Sequence, residues 1–189
     1  MEAEMSHKKY GIVLDAKNCL NCKACTVACK FENGVEVGDE QYRIWVAEKE
    51  LKGTFPNLRL DFEPSQCQHC ENTPCASVCP TSATYKTDEG VVLIDYKKCI
   101  ICKACMTACP YDARFVSEVH HAIEKCTFCY HRLPEGREPA CVETCPTKVR
   151  VFGDLNDPNS KAAKLLAKHD TYQLKPEKNT RPRLFYIIK

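Results

Sequence analysis

Sixteen cysteines stand out in this chain of 189 residues, and eight of them form two runs of identical spacing. The four cysteines of a run are separated by two, two and three residues, and the runs are Cys19, Cys22, Cys25 and Cys29, and Cys99, Cys102, Cys105 and Cys109. Three thiolates at every third residue of a tight loop can converge on three irons of one cubane, while the fourth points elsewhere from the following helix. The spacing therefore predicts 4Fe-4S clusters.

The other eight cysteines form two groups with the same plan, widened before the third cysteine. Before its third cysteine, one group has two more residues than the regular runs, and the other has nine more. The groups are, in this order, Cys67, Cys70, Cys75 and Cys79, and Cys126, Cys129, Cys141 and Cys145. Proline follows the fourth cysteine in three groups, at Pro80, Pro110 and Pro146, whereas Lys30 takes this position in the first group. Four groups of four cysteines predict four 4Fe-4S clusters with no thiol left over.

Other uses of these cysteines fit the pattern less well. Structural zinc sites use Cys-x2-Cys pairs but do not call for the full C-x2-C-x2-C-x3-C run. Cysteines three apart on a tight loop cannot all form disulfides without strain. One cluster of the 2Fe-2S or 3Fe-4S type stays an open alternative. Because cysteines supply every ligand, we interpret His69 and His131 as ordinary loop residues. We interpret Lys23, Lys103 and Lys125, which lie beside ligands, as solvated loop lysines.

Composition and charge disfavour several classes of partner. The formal net charge of +2 gives no global signature of nucleic-acid binding. The longest apolar stretches are far below the length of a membrane span, and the initial residues MEAEMSHKKYG lack the apolar core of a secretory signal peptide. We therefore expect no nucleic-acid partner, no direct membrane span and no export by a signal of its own.

An internal repeat indicates which elements position the cysteine runs. Residues 13–30 (VLDAKNCLNCKACTVACK) align with residues 93–110 (LIDYKKCIICKACMTACP). Apolar strands at 10–14 and 91–95 each lead into a run, and strand, cysteine loop and helix together form the unit of a bacterial ferredoxin. The sequence predicts an α+β fold of two pseudo-symmetric bacterial ferredoxin-like lobes with an inserted hairpin and loops.

Segments outside the repeat have alternative interpretations. YRIWV and LRLDF flank KGTFPN and predict an added hairpin, which either docks a partner or covers a cluster. SKAAKLLAKHD predicts a short helix capped by Ser160. The tail, which ends in LFYII, is either a contact arm for a partner or a strand that returns to the domain surface. The loop at 130–140, with Arg132 and Arg137, either docks a partner or is a solvated cover for the clusters.

The order of the four groups resembles that in the four-cluster iron-sulfur subunits of the molybdopterin oxidoreductase (dimethyl sulfoxide reductase) superfamily. The order is a regular run, a run with a widened middle, a second regular run and a run with a long insertion. The segments most similar to the polysulfide reductase iron-sulfur subunit are CENTPCASVCPTSATY, CPYDARF, KCTFCYHRL, PACVETCPT and VFGDLNDP. This resemblance covers nearly the whole chain.

The resemblance, and not the spacing, implies how the groups pair. In this family the first group pairs with the fourth and the second with the third. The implied ligand sets are set a (Cys19, Cys22, Cys25, Cys145), set b (Cys126, Cys129, Cys141, Cys29), set c (Cys67, Cys70, Cys75, Cys109) and set d (Cys99, Cys102, Cys105, Cys79). The expected divisions are one lobe at 1–34 and 120–155, the other at 60–119, the inserted hairpin at 35–59, and a helix and extended tail at 156–189.

The resemblance also implies a function. We expect an electron-transfer subunit, with no catalytic site of its own, that relays electrons between a membrane quinone-reactive subunit and a molybdopterin catalytic subunit holding molybdenum or tungsten. Respiration on polysulfide or thiosulfate is expected; the alternatives are an arsenate, nitrite, formate or dimethyl sulfoxide system, or a free soluble polyferredoxin. We expect the chain to associate with the membrane through its partners, on the extracytoplasmic (periplasmic) face by co-export or, alternatively, on the cytoplasmic face.

Overall fold

A computed structural model of the chain describes residues 8–38 and 40–188. Within these residues the chain forms ten strands and five α-helices. The strands are β1 (Tyr10–Leu14), β2 (Ile44–Lys52), β3 (Arg59–Gln66), β4 (Thr84–Lys86), β5 (Val92–Ile94), β6 (Phe115–Ser117), β7 (Ala122–Glu124), β8 (Arg150–Asp154), β9 (Thr171–Tyr172) and β10 (Leu184–Ile187). The helices are α1 (Ala24–Asn33), α2 (Pro74–Ser77), α3 (Ala104–Thr107), α4 (Ala140–Glu143) and α5 (Lys161–Lys168). This mixture confirms the predicted α+β class.

The division into two lobes stays a prediction, and part of it lies outside the described residues. These parts are residues 1–7 of the first expected lobe, Asp39 in the expected inserted hairpin, and Lys189 at the end of the tail.

The largest sheet contains four strands in the order β8-β1-β10-β9. Strand β1 pairs antiparallel with β8, with Ile12 opposite Phe152, and parallel with β10, with Ile12 opposite Leu184. The side chains of Leu184 and Tyr186 on β10 are fully buried. The apolar end of the tail is therefore a strand inside the sheet. This agrees with the interpretation of the tail as a strand that returns to the domain, and not with that of an arm that contacts a partner.

Three hairpins form the remaining sheets. The pair β4–β5 turns next to Gly90, as predicted, and β6–β7 is its counterpart after the third cysteine group. The inserted hairpin is β2–β3, and its second strand runs on to Gln66, directly before Cys67. Its base is buried, with Ile44 at 1% and Gln66 at 0% exposure, whereas Phe55 at its tip is 88% exposed. The hairpin thus reaches from the cysteine core out into solvent.

The residue that follows the fourth cysteine of each group determines the length of the helix that contains the third cysteine. Helices α2, α3 and α4 have four residues each, and proline lies just beyond each of them. Proline has no N–H to donate and disfavours helical backbone in the residue before it. Lys30 carries neither restriction, and α1 continues to Asn33, for ten residues in all. The extra turn brings Asn33 to the fourth cysteine group.

The loop between Cys129 and Cys141 contains a short 3-10 helix at Tyr130–Glu135. Arg132 in this helix is only 3% exposed, and it forms ion pairs with Glu32 on α1 at 2.7 Å and with Glu143 on α4. Arg137 is about half exposed. The position of Arg132 therefore favours the interpretation of this loop as a cover for the clusters and not as a docking surface. Its guanidinium ties the loop to helices α1 and α4, which carry cysteines of set a and set b.

Two smaller predictions are confirmed. Ser160 caps α5, because its Oγ accepts a hydrogen bond from the N–H of Ala163 at 3.1 Å. The segment around VRVFG forms β8 and extends the main sheet beside β1.

Candidate metal centres

The backbone of each cysteine loop has the same unusual conformation. The residue before the second cysteine of each group has a positive φ, and these four residues are Asn21 (52°), His69 (44°), Ile101 (55°) and Phe128 (55°). A residue with a Cβ adopts this left-handed conformation only at some cost in energy, which is found mostly at functional sites. Alternating left- and right-handed residues turn successive N–H groups inward and form a concave site for an anion, as in many iron-sulfur proteins.

The structure brings the thiols together across the sequence in four groups. The pairs close enough for their charges to interact are Cys19 with Cys25 and Cys145, Cys29 with Cys126, Cys129 and Cys141, and Cys70 with Cys67, Cys75 and Cys109. Cys79, Cys99, Cys102 and Cys105 line one enclosed cavity. In three of these groups the fourth cysteine of one run lies with the first three of another, and in the remaining group Cys145 interacts with Cys19 and Cys19 with Cys25. These groups match sets a to d; the ligand assignment itself stays a prediction.

All sixteen cysteines are among the described residues, and all are free thiols. In the part of the chain that the structure describes, no three His, Cys, Asp or Glu side chains are arranged around the position of a single metal ion. Free thiols gathered from two cysteine groups at each site are the kind of donor set that a 4Fe-4S cluster takes.

Charge interactions link the four predicted sets to one another. Cys141 of set b and Cys25 of set a interact through their charges, and so do Cys126 of set b and Cys67 of set c. Arg114 interacts with thiols of both set c and set d. These interactions support the order a, b, c, d for the predicted sets. Of the sixteen cysteines only Cys22 and Cys102 are exposed, and they belong to the two end sets.

Burial controls the state of the thiols before metal binds. Loss of solvation raises the pKa of Cys126, Cys141 and Cys70 to about 12. Burial would also raise the pKa of Cys145, but hydrogen bonds from the N–H groups of Val149 and neighbouring residues outweigh it and lower the pKa. Iron binds thiolates, so binding to the inner sets must release protons from these buried thiols.

Three cations are buried next to the thiols. Arg150, Lys125 and Arg114 are 2%, 1% and 6% exposed. Their hydrogen bonds go to uncharged oxygens of Gln66, of Val92 and Cys126, and of Thr84, respectively. Burying a cation is costly unless a negative charge compensates for it. Thiols of all four sets interact with these charges, and an anionic cluster in each set would compensate for them.

Lys125 corrects one sequence-based interpretation. It was expected to be a solvated loop lysine, but its Nζ is enclosed and donates to the carbonyl oxygens of Val92 and Cys126. The charge of Lys125 interacts with Cys67 and Cys126, so it lies between the two inner sets. Nothing in its sequence position indicates this burial, because it depends on β5 packing over the residue.

The two histidines act as structural residues in the loops. The ring of His69 stacks on Phe128 with the centroids 3.7 Å apart, and its Nδ1 accepts a hydrogen bond from the N–H of Val92 at 3.0 Å. His131 contacts the carboxylate of Glu32 at 2.8 Å. This agrees with their interpretation as ordinary loop residues.

Two side chains that the sequence analysis missed donate to cysteine sulfurs of set b. The amide Nε2 of Gln66 lies 3.4 Å from Cys126 Sγ. The amide Nδ2 of Asn33 lies 3.6 Å from Cys29 Sγ and 3.7 Å from Cys129 Sγ. Hydrogen bonds to cluster sulfurs influence the reduction potential. Lys30 could have indicated Asn33, because a helix that continues past Cys29 must return Asn33 to the same face one turn later.

Among the described residues, no helix is long and apolar enough to cross a membrane. Two models of the 4Fe-4S dicluster domain match the chain, at residues 18–83 and 58–155. Together they span the four cysteine groups.

Curated relatives cover nearly all of the chain. A polysulfide reductase chain of Wolinella succinogenes is 43% identical over 95% of this chain and 94% of its own length. A tetrathionate reductase subunit of Salmonella typhimurium is 41% identical over 95% and 72%. The arsenate respiratory reductase iron-sulfur subunit of Shewanella sp. strain ANA-3 is 36% identical over 95% and 96%. The chain therefore belongs to the 4Fe-4S dicluster family of iron-sulfur subunits of reductase complexes, and it is an electron-transfer subunit.

Proposed function

We propose that this chain holds four 4Fe-4S clusters in sets a to d and carries electrons between two partner subunits that dock at its opposite ends. When bound, the clusters supply four one-electron carriers. The protein contributes the loops that fix them, the buried cations that compensate for their charge, and the surfaces at which partners exchange electrons. The observation that carries this proposal is the exposure of one cysteine in each end set, Cys22 and Cys102, while no cysteine of sets b and c is exposed.

Apolar side chains beside the two exposed cysteines support docking at both ends. Leu20 and Ile100 occupy equivalent positions in the repeat, and they are 66% and 62% exposed. On helix α1, next to set a, Val27 and Phe31 are 65% and 92% exposed. An apolar patch of this kind on a soluble surface is characteristic of a protein interface. A free carrier would need neither patch.

The tip of the inserted hairpin is a third apolar surface. Leu51 and Phe55 are 62% and 88% exposed, and Leu58 and Leu60 are also exposed. At the buried base of the hairpin Gln66 contacts Cys126 of set b and leads into Cys67 of set c, and paired strands join the tip to this base. We propose that this tip anchors the chain to one of its partner subunits.

The family supports a proposal for the partners and the substrate. We propose that one partner is a molybdopterin catalytic subunit with molybdenum or tungsten and that the other is a membrane subunit that reacts with quinone. The terminal substrate that we propose is a sulfur compound such as polysulfide or thiosulfate, in agreement with the polysulfide and tetrathionate reductase relatives. Through these partners the chain is held at the membrane, and we propose its extracytoplasmic face.

Co-purification tests this proposal most directly. A tagged chain isolated anaerobically from detergent-solubilised membranes should bring with it a molybdopterin protein and an integral membrane protein. The complex should contain about sixteen irons and as many acid-labile sulfides per copy of this chain. A quinol analogue added to the complex should reduce the clusters, as followed by the loss of visible absorbance.

Docking at the hairpin tip has a matched control. Phe55→Asp should release the chain from one partner, because it places a charge in an apolar contact. Asn57→Asp, on the same turn, adds the same charge outside the apolar group and should leave assembly intact.

An isolated monomer that exchanges electrons with soluble carriers as fast as the membrane fraction does would overturn the proposal in favour of a free polyferredoxin.

A further inference from the structure

Gln66 occupies the junction between the two inner thiol sets. It is the last residue of β3 and is 0% exposed. Its backbone continues directly into Cys67 of set c, while its side-chain Nε2 lies 3.4 Å from Cys126 Sγ of set b. One residue and one hydrogen bond therefore connect a thiol of set b with a thiol of set c. No motif assigns a role to this glutamine, because it precedes the second cysteine group.

The orientation of the Gln66 amide is fixed by its other contact. Arg150 Nη1 donates a hydrogen bond to Gln66 Oε1. A guanidinium can only donate, so the end of the amide that faces Arg150 must be the oxygen. The N–H end must then face the sulfur of Cys126. Arg150 is itself buried on β8, and its position is determined by the main sheet.

We propose that Gln66 is a positioning residue for electron transfer at this junction, where its amide N–H stabilises the reduced state of the cluster that Cys126 binds. Reduction adds one electron and no proton, and part of the added negative charge resides on the cysteine sulfur. A fixed N–H donor at that sulfur favours the more negative state and raises the reduction potential. This inference rests on the proposed ligand sets.

Two neighbours at the junction act differently. Lys125 Nζ donates to backbone carbonyl oxygens and not to a sulfur, so it contributes charge without a directed bond. Gln68 is as buried as Gln66, at 1% exposure, but its Nε2 donates to the carbonyl oxygen of Gln66 at 3.0 Å. Gln68 therefore provides a control of the same residue type, burial and location that makes no bond to Cys126.

The test measures the cluster potentials of the isolated full-length protein in an anaerobic redox titration followed by electron paramagnetic resonance. The signal of set b is identified as the one that changes in Cys129→Ser. Gln66→Met keeps the length of the side chain and removes the donor. At a fixed ambient potential, the ratio of reduced to oxidised cluster in set b should fall about fivefold, which corresponds to the loss of one ordinary hydrogen bond. Gln68→Met should leave this ratio unchanged.

A second variant covers the case in which Gln66→Met binds fewer irons than the native chain. Gln66→Glu keeps the shape and the acceptor for Arg150, removes the N–H donor at the sulfur, and should also lower the potential of set b. The inference would be overturned if the potential of set b were unchanged in a Gln66 variant that retains all its iron. It would also be overturned if Gln68→Met shifted this potential as much as the Gln66 variant does. These measurements need no partner subunit. A chain with four clusters that assembles with no partner would contradict the proposed function and still allow this test.

Discussion

Replacing Cys145 with alanine separates the two ways in which the first and fourth cysteine groups could bind their clusters. If each group kept its own four cysteines, Cys145→Ala would damage the cluster of Cys126, Cys129 and Cys141. In the structure, the charge of Cys145 instead acts on Cys19. We therefore expect the cluster of set a to be damaged and the cluster of set b to remain.

The size of the effect follows from the ligand count. Only one of the four thiols of set a is removed, and none of set b. Complete loss of that cluster lowers the iron content from about sixteen to about twelve per chain, and conversion to a 3Fe-4S cluster lowers it to about fifteen. Iron and sulfide analysis of the anaerobically purified variant measures this change.

Two reference variants decide which cluster was affected. Cys22→Ala removes an exposed thiol of set a, and Cys129→Ala removes a buried thiol of set b. The difference electron paramagnetic resonance spectrum of Cys145→Ala should match that of Cys22→Ala. A match with Cys129→Ala would refute the reciprocal arrangement, and with it the order of the four sets.

Three further predictions concern stability. Arg132→Ala should lower the free energy of unfolding by about 2 kcal/mol, because it removes charge-assisted bonds to Glu32 and Glu143 from a buried guanidinium. The control Arg137→Ala, at an exposed position, should change it by less than about 0.5 kcal/mol in the same anaerobic denaturant titration. Lys30→Pro should end α1 at Cys29 and cost about 3 kcal/mol, since it interrupts a ten-residue helix in its interior. A circular dichroism spectrum and unfolding midpoint identical to those of the native chain would contradict that expectation. Removal of iron by oxidation and chelation should abolish the cooperative unfolding transition, because cysteines of the thiol sets belong to both larger apolar cores; a cooperative transition retained by the iron-free chain would show that the fold does not depend on its clusters.

Much of the local structure could be predicted from the sequence. The cysteine spacing indicates a 4Fe-4S cluster because it determines which thiols a short loop can bring together. The strands before the two regular runs, the turn at Gly90, the added hairpin and the cap at Ser160 are likewise local features, and the structure contains all of them. Each depends on residues within a few positions of one another, which is the range over which a sequence pattern carries information.

The tertiary structure decided what depends on distant residues. The charge of Cys145 acts on Cys19, and Gln66 forms hydrogen bonds with both Cys126 and Arg150, although 60 residues or more separate each pair in the chain. The burial of Lys125, the closure of the sheet by β10 and the exposure of only Cys22 and Cys102 likewise come from packing between segments. The sequence by itself determined the kind of cofactor and its number, because a cluster is held largely by one loop. The order of the sets and the side chains at their junction required the fold, because they are set by contacts that no local spacing encodes.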